Sequence, residues 1–354
     1  ANALVYDFFQ KNILSLGKIQ IRITILANMF AAFFLIGVLI FTSHEVLNSK
    51  MKIGQLIAIL GIIAPLLQST ASLAMLFIPI SEAKIAFNRM FEFTSLESEY
   101  SSDSNIKVER FESISASNIV FRFAGRSPLF KNLDFQVKKG EIIGLLGENG
   151  SGKSTLGHLI QKYYNYENGR VVVNQTILHE KIKLSEWRKM TSVVPQNVHI
   201  FNTTVLENIA FEDALQKPQE VLSFLNEFGF LEFIESLPQS YLTLVGEEGI
   251  NLSGGQKQMI ALARSMYSRP QLLILDEATS AMDRLSEQFV LELLEKMRNE
   301  MGVIFITHRL HIFKNLCDRI YILQNGETTI SGDHNTLLLS DNLYSKYWKD
   351  LVAQ

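Results

Sequence analysis

Two uncharged apolar stretches lie near the start of the chain, and beyond them the pattern changes. From Ile23 to Phe41, 16 of 19 residues are apolar and none is charged. From Ile53 to Ile80, 28 residues pass without a charge, although Gln55, Gln68, Ser69, Thr70 and Ser72 are polar. A helix that crosses a bilayer needs about 20 mostly apolar residues, so both runs are expected to span one. The second run, at about 1.5 Å per residue, exceeds a hydrocarbon core and is expected to tilt or overrun it. Pro65 is expected to kink it. Thr42–Lys52 is short enough to make the pair a helical hairpin. The first run begins too far into the chain, and is too long, for a secretion signal.

Past residue 94 the apolar runs shorten. Thr94–Ser104 holds five serines and three acids and little that is apolar, the composition of a linker. Short β-rich runs then alternate with helical patterns: Glu141–Leu146, Val171–Val173, Leu272–Leu275, Val303–Ile306 and Ile320–Leu323. That alternation predicts an α/β domain. The expected organisation is a partial all-α membrane domain over 1–94, with spans near 23–41 and 53–80, a linker over 95–104, and an α/β domain over 105–354.

Composition narrows the picture in two ways. The 354 residues carry 33 Lys and Arg against 36 Asp and Glu, a net charge of −3. No basic surplus exists to hold nucleic acid. The one cysteine, Cys317, excludes an internal disulfide and a four-thiolate zinc site.

The chemistry begins where Glu141–Leu146, read as a buried strand, runs into Gly147-Glu148-Asn149-Gly150-Ser151-Gly152-Lys153-Ser154-Thr155 and then into a helical stretch. This is the G-x-x-x-x-G-K-[ST] phosphate loop in its required strand–loop–helix setting. Its glycines let backbone N–H groups turn inward around phosphate oxygens, and the helix N-terminus favours negative charge. Lys153 is expected to reach the β- and γ-phosphates, and Ser154 to meet Mg²⁺. Downstream, Leu272–Leu275 ends in Asp276 and Glu277. By itself this is a weak signal, but beside a phosphate loop it suits an acid that holds Mg²⁺ (Asp276) and a base for the attacking water (Glu277).

Leu252-Ser253-Gly254-Gly255-Gln256 resembles the signature motif of ABC-transporter ATPases. The resemblance implies that Ser253, Gly254, Gly255 and Gln256 serve the ATP held by a second ATPase domain, so that two domains sandwich two nucleotides. The next two residues, Lys257 and Gln258, are expected to affect surface contacts rather than chemistry. Other landmarks of the family fall in order. Val194-Pro195-Gln196 resembles the Q-loop, whose glutamine contacts Mg²⁺ and water, and Phe201–Ile209 is similar to the stretch after it in exporters. Val245–Gly249 is similar to the exporter segment ahead of the signature. Ser280–Asp283 resembles the D-loop, whose Asp283 lies near nucleotide, and Ile306-Thr307-His308 ends like the switch histidine that senses γ-phosphate. Asn118–Phe123 aligns with the segment whose aromatic stacks on adenine. The family commonly has Tyr there and this chain has Phe123; stacking needs a π-face and not a hydroxyl.

Helices ahead of the ATPase domain resemble ABC exporters, whose halves each carry six spans. The implied fold is an α/β P-loop ABC ATPase domain behind a transmembrane hairpin, the partial membrane domain of a half-transporter. With no initiator Met and two of six spans, the chain is expected to be the C-terminal part of a longer protein. The resemblance implies ATP-driven export by alternating access, a second half-transporter as partner (a homodimer), a lipid bilayer and an exported substrate. It further implies a bacterial inner membrane, with the ATPase domain in the cytoplasm. Peptide, lipid and drug all stand as substrates, and the spans bear some likeness to those of bacterial peptide and bacteriocin exporters. The alternative is a membrane-anchored ABC ATPase with a sensor or structural role. A soluble relative acting on nucleic acid conflicts with the two apolar runs.

Overall fold

The computed structural model describes residues 2–75, 77–94, 106–247 and 249–352. The expected linker, 95–104, lies outside these residues, as does Glu248 of the segment ahead of the signature. The chain divides into two compact units, Ala1–Ser98 and Glu99–Gln354.

The first unit is helical: α1 (Asn2–Leu47), α2 (Ile53–Met75) and α3 (Phe77–Thr94). Helix α1 starts well before the apolar run and continues past Phe41, so the connection is shorter than the expected Thr42–Lys52. Thr42 is accommodated inside the helix, its hydroxyl donating to the carbonyl of Val38 at 2.7 Å, the back-bond a mid-helix threonine makes. The turn comes at Ser49, with a φ of 56°, and Lys50 lies 3.9 Å from Glu45 across it. Pro65 sits within α2, and its carbonyl accepts from Ser69 Oγ at 2.8 Å.

Among the described residues, one helical segment, Thr24–Leu47, is long and apolar enough to cross a membrane. The second expected span, 53–80, falls on α2 and the start of α3, and Ile53–Leu67 is a shorter apolar stretch within it. Among the described side chains of α1 and α2, large apolar ones point outward, Phe30, Phe33, Ile40, Ile57 and Ile62 included.

The second unit is built on a sheet of ten strands. In chain order the strands are β1 (Ser113–Phe121), β2 (Phe130–Lys138), β3 (Ile142–Gly147), β4 (Asn168–Val173), β5 (Ile177–Leu178), β6 (Thr191–Val194), β7 (Thr203–Thr204), β8 (Leu244–Val245), β9 (Leu272–Asp276), β10 (Gly302–Ile306), β11 (Arg319–Gln324) and β12 (Glu327–Gly332). The order across the large sheet is β5-β4-β1-β2-β12-β11-β3-β10-β9-β6. Within it β6, β9, β10, β3 and β11 run parallel, while β1 pairs antiparallel with β2 and β4.

The apolar runs of the parallel strands are continuous because both of their faces are covered. Alternate residues feed opposite cores. Ile142, Leu273, Leu275, Val303 and Phe305 enter one cluster. Ile143, Leu145, Leu272, Ile274, Ile304 and Ile306 enter the other. Strands β7 and β8 form a separate pair, Thr203 opposite Val245, which ties the Phe201–Ile209 stretch to the segment ahead of the signature.

Candidate functional site: a phosphate cradle at the strand ends

Parallel register decides which loops meet. Ile306 pairs with both Leu145 and Asp276, and Val194 pairs with Leu275. The C-terminal ends of β3, β9, β10 and β6 therefore share one edge, where open α/β sheets bind ligands. The loops leaving them carry Gly147–Thr155, Asp276–Glu277, Thr307–His308 and Pro195–Gln196.

A cavity of about 650 Å³ opens there, lined by Phe123, Arg126, Ser127, Pro128, Leu129, Asn149, Gly150, Gly152, Lys153, Ser154, Thr155, Gln196, Asp276 and Glu277. Helix α4 (Lys153–Ile160) starts at its wall, and its N-cap, Gly152, offers no side-chain hydrogen bond. The first-turn N–H groups are left for something in the cavity. Gly152 has a φ of +99°, and a Cβ there would come within 2.6 Å of the Phe130 ring, so this turn admits no side chain. Gly147 and Glu148 line the loop's back: their carbonyls accept from Lys153 Nζ at 2.8 and 3.0 Å. Ser151 Oγ is buried with no hydrogen-bond partner among the described residues.

The acidic wall is electrostatically tense. Burial raises the Asp276 carboxyl above its ordinary range and the charge of Glu277 adds to this, while a hydrogen bond from the Ser154 hydroxyl, His158 and Lys153 oppose it. Burial lowers the Lys153 ammonium, with Glu277 and Asp276 pulling the other way. Glu277 stands just past the strand end with a φ of 50°, a strained conformation for a non-glycine residue. Its N–H donates to the carbonyl of Ile306 at 2.9 Å. Its two oxygens reach apart: Gln196 Nε2 donates to Oε2 at 2.7 Å, and His308 Nε2 lies 3.0 Å from Oε1. Gln196, Glu277 and His308 thus form one chain of polar contacts at the cavity mouth. Phe123 meets Phe121 edge-on at 5.0 Å and Tyr164 at 5.4 Å, which stands its ring at the cavity rim.

The signature residues sit elsewhere. Ser253 caps the helix Gly254–Tyr267 with a reciprocal pair, its Oγ accepting from Gln256 N–H and its own N–H donating to Gln256 Oε1. A Cβ on Gly255 would lie 2.9 Å from the carbonyl of Ala281, and one on Gly254 2.8 Å from the Ala281 Cβ, so both glycines serve close packing. Asp283 caps the helix Arg284–Met297 through Ser286 N–H, and that bond holds its carboxyl below the usual range. None of Ser253, Gly254, Gly255, Gln256 or Asp283 lines the cavity.

Gln258 corrects an expectation. It is not a surface residue but is buried. Its amide donates to the carbonyl of Glu277 and to Ser280 Oγ, both at 3.0 Å, and accepts from Ala281 N–H at 3.0 Å. It binds the signature helix to the strand end that carries Glu277. Nothing in the neighbouring run Met259–Ala263 marks Gln258 out, since a polar residue on an amphipathic helix ordinarily faces solvent. Arg126, on the cavity wall, and Tyr164, against Phe123, belong to no motif, so the sequence does not single them out.

A glycine loop opening a helix at one parallel strand end, faced by a strand that ends in carboxylates, defines a P-loop nucleotide-binding domain. Residues 130–280 match the family model described as ABC transporter, and the chain belongs to the ABC transporter family through this ATP-binding domain. The leukotoxin translocation ATP-binding protein LktB of a Pasteurella haemolytica-like species (strain 5943B) is 36% identical over 306 residues, 86% of this chain and 43% of that protein. The protein of the same name from Mannheimia glucosida matches to the same extent. The chain thus spans less than half the length of the curated relatives it matches. A solved structure of a bacterial Atm1-family ABC exporter with ATP bound superposes with a TM-score of 0.79 at 28% identity, covering 94% of this chain and 58% of that one.

Proposed function

We propose that this chain hydrolyses ATP as part of an ABC exporter half-transporter, and that hydrolysis by a head-to-tail pair of its ATPase domains drives export across a membrane. The convergence of the ends of β3, β9 and β6 on one cavity, with His308 of the β10 end against Glu277, carries this reading. In it, Phe123 stacks on adenine, and the loop Gly147–Thr155 with Lys153 cradles the phosphates. Glu277 takes the proton of the attacking water, oriented by Gln196 and His308, and His308 senses the γ-phosphate.

Ser154, Asp276 and Gln196 would hold Mg²⁺. The residues suit it: Ser154 and Asp276 are already hydrogen-bonded, and no cluster of three His, Cys, Asp or Glu ligands exists among the described residues. Mg²⁺ typically takes one or two carboxylates, here Asp276, and completes its shell with neutral oxygens, phosphate and water. When bound it would neutralise phosphate charge.

Ser253, Gly254, Gly255, Gln256 and Asp283 lie off this cavity, which supports their acting on a partner's nucleotide. In this reading the domains are 1–94, a linker 95–104, and 105–354. The apolar face of α1 and α2 meets lipid, in a bacterial inner membrane with the ATPase domain in the cytoplasm. The leukotoxin translocation named in the relatives supports a polypeptide substrate.

The test mixes chains carrying Ser253→Cys with chains carrying Asn149→Cys. Crosslinking between chains should appear with Mg-ATP and vanish without it, and the parent chain should turn over ATP only with Mg²⁺. Hydrolysis without any ATP-dependent crosslink would rule out the shared site.

A further inference from the structure

Outside the cavity lining lies a charged cluster that the proposed chemistry does not use. Glu287, one turn into the helix that Asp283 caps, is a buried carboxylate. It accepts from Arg309 Nη1, and His311 Nε2 lies 2.7 Å from its other oxygen. A carboxylate taken out of water costs several kcal/mol unless it is paired and hydrogen-bonded, so this geometry is selected by its partners. Arg309 reaches further. Its Nη2 donates to the carbonyl of Ser280 at 3.1 Å, and its backbone N–H donates to Thr307 Oγ1 at 3.1 Å.

Arg309 directly follows His308, which touches Glu277. Its planar fork thus joins the histidine loop to the segment Ser280–Asp283. That segment is held from the other side by Gln258, bonded to Ser280 Oγ and Ala281 N–H, and Gln258 also holds the carbonyl of Glu277. The loop bearing His308, the strand end bearing Glu277 and the signature helix therefore meet on one short segment, and Glu287 anchors it.

We infer that Glu287 is a positioning residue: through Arg309 it sets the place of His308 against Glu277 together with that of Ser280–Asp283. This rests on the ATPase reading above. It touches no nucleotide, so losing it should slow turnover without weakening nucleotide binding. Residues of one network couple by factors of two to about a hundred.

The experiment measures kcat and KM for ATP, with thermal unfolding, on the full chain carrying Glu287→Gln, Arg309→Lys or both. Glu287→Gln keeps the shape and removes the buried charge, and kcat should fall about tenfold with KM within about twofold. Arg309→Lys keeps the charge but not the fork, and should fall less. The double variant should be no slower than Glu287→Gln, because both act through one contact. A wild-type kcat in Glu287→Gln, a KM effect alone, or losses that multiply in the double variant would each overturn the inference. If Glu287→Gln does not fold, Arg309→Lys decides: a kcat loss of about threefold at unchanged melting temperature supports the role, and an unchanged kcat ends it. Absence of hydrolysis by the parent chain overturns the ATPase reading first, and the inference with it; normal parent turnover with indifferent variants overturns the inference alone.

Discussion

Phe33 in α1 is 78% exposed and Phe305 in β10 is 0% exposed, so identical side chains face opposite surroundings in the two units of this chain. The helical unit turns its apolar residues outward, and the sheet unit packs them into cores on both faces of the sheet. Water tolerates the second arrangement and not the first, because a contiguous apolar face of this kind needs cover. The difference teaches where each unit draws its stability: one from whatever surrounds it, the other from itself. It also explains why chemistry gathers in the second. Catalytic groups need a rigid frame, and the strand ends of a doubly covered sheet supply one.

The sharpest way to test that division of labour is at the strand ends. Glu277→Gln should keep ATP binding while turnover falls by about 10²–10⁴, the usual contribution of a general base. Steady-state hydrolysis and nucleotide binding, measured side by side, check it, and undiminished hydrolysis would remove Glu277 from the reaction.

Next in size is the pair of phenylalanines. Phe305→Ala should cost about 3–5 kcal/mol of stability, by lost transfer energy and the cavity left behind. Phe33→Ala, measured in detergent by loss of ATP binding on heating, should leave the ATP-binding unit unchanged. Equal losses from the two would break the comparison.

Gln258→Leu probes the joint between signature helix and strand end. The part-buried carbonyl of Glu277 and N–H of Ala281 lose their partner, at no more than about 1–3 kcal/mol. Both the melting temperature and kcat should drop. A loss of stability with kcat intact would make Gln258 structural only.

The smallest effect is at the cavity rim. Phe123→Ala should weaken ATP binding roughly three- to tenfold, an aromatic stack being worth about 0.5–1.5 kcal/mol, while Phe123→Tyr should be near neutral. Titration calorimetry distinguishes them, and an alanine variant that binds normally would place Phe123 with the core residue Phe121 that it touches.

Much of this molecule is legible in its sequence because the motifs are local. A phosphate loop needs its glycines, its lysine and its hydroxyl within one turn of chain, so Gly147–Thr155 announces itself by spacing alone. The buried parallel strands are legible for a similar reason: Leu272–Leu275 and Val303–Ile306 are apolar without alternation, which is the mark of a strand covered on both faces.

The tertiary structure alone decided which residues touch across distance. Sheet register put Gln196 and His308 on the two oxygens of Glu277. Helix packing buried Gln258 against Ala281, and a loop and a helix, not neighbours in sequence, closed Arg309 on Glu287. These contacts are long in sequence and short in space, and residues of the same types such as Gln219 and Glu220 are solvated surface. For Gln258 and Glu287 what separates the two cases is desolvation: a buried polar group must find its partner, and only the folded chain determines which groups are buried together.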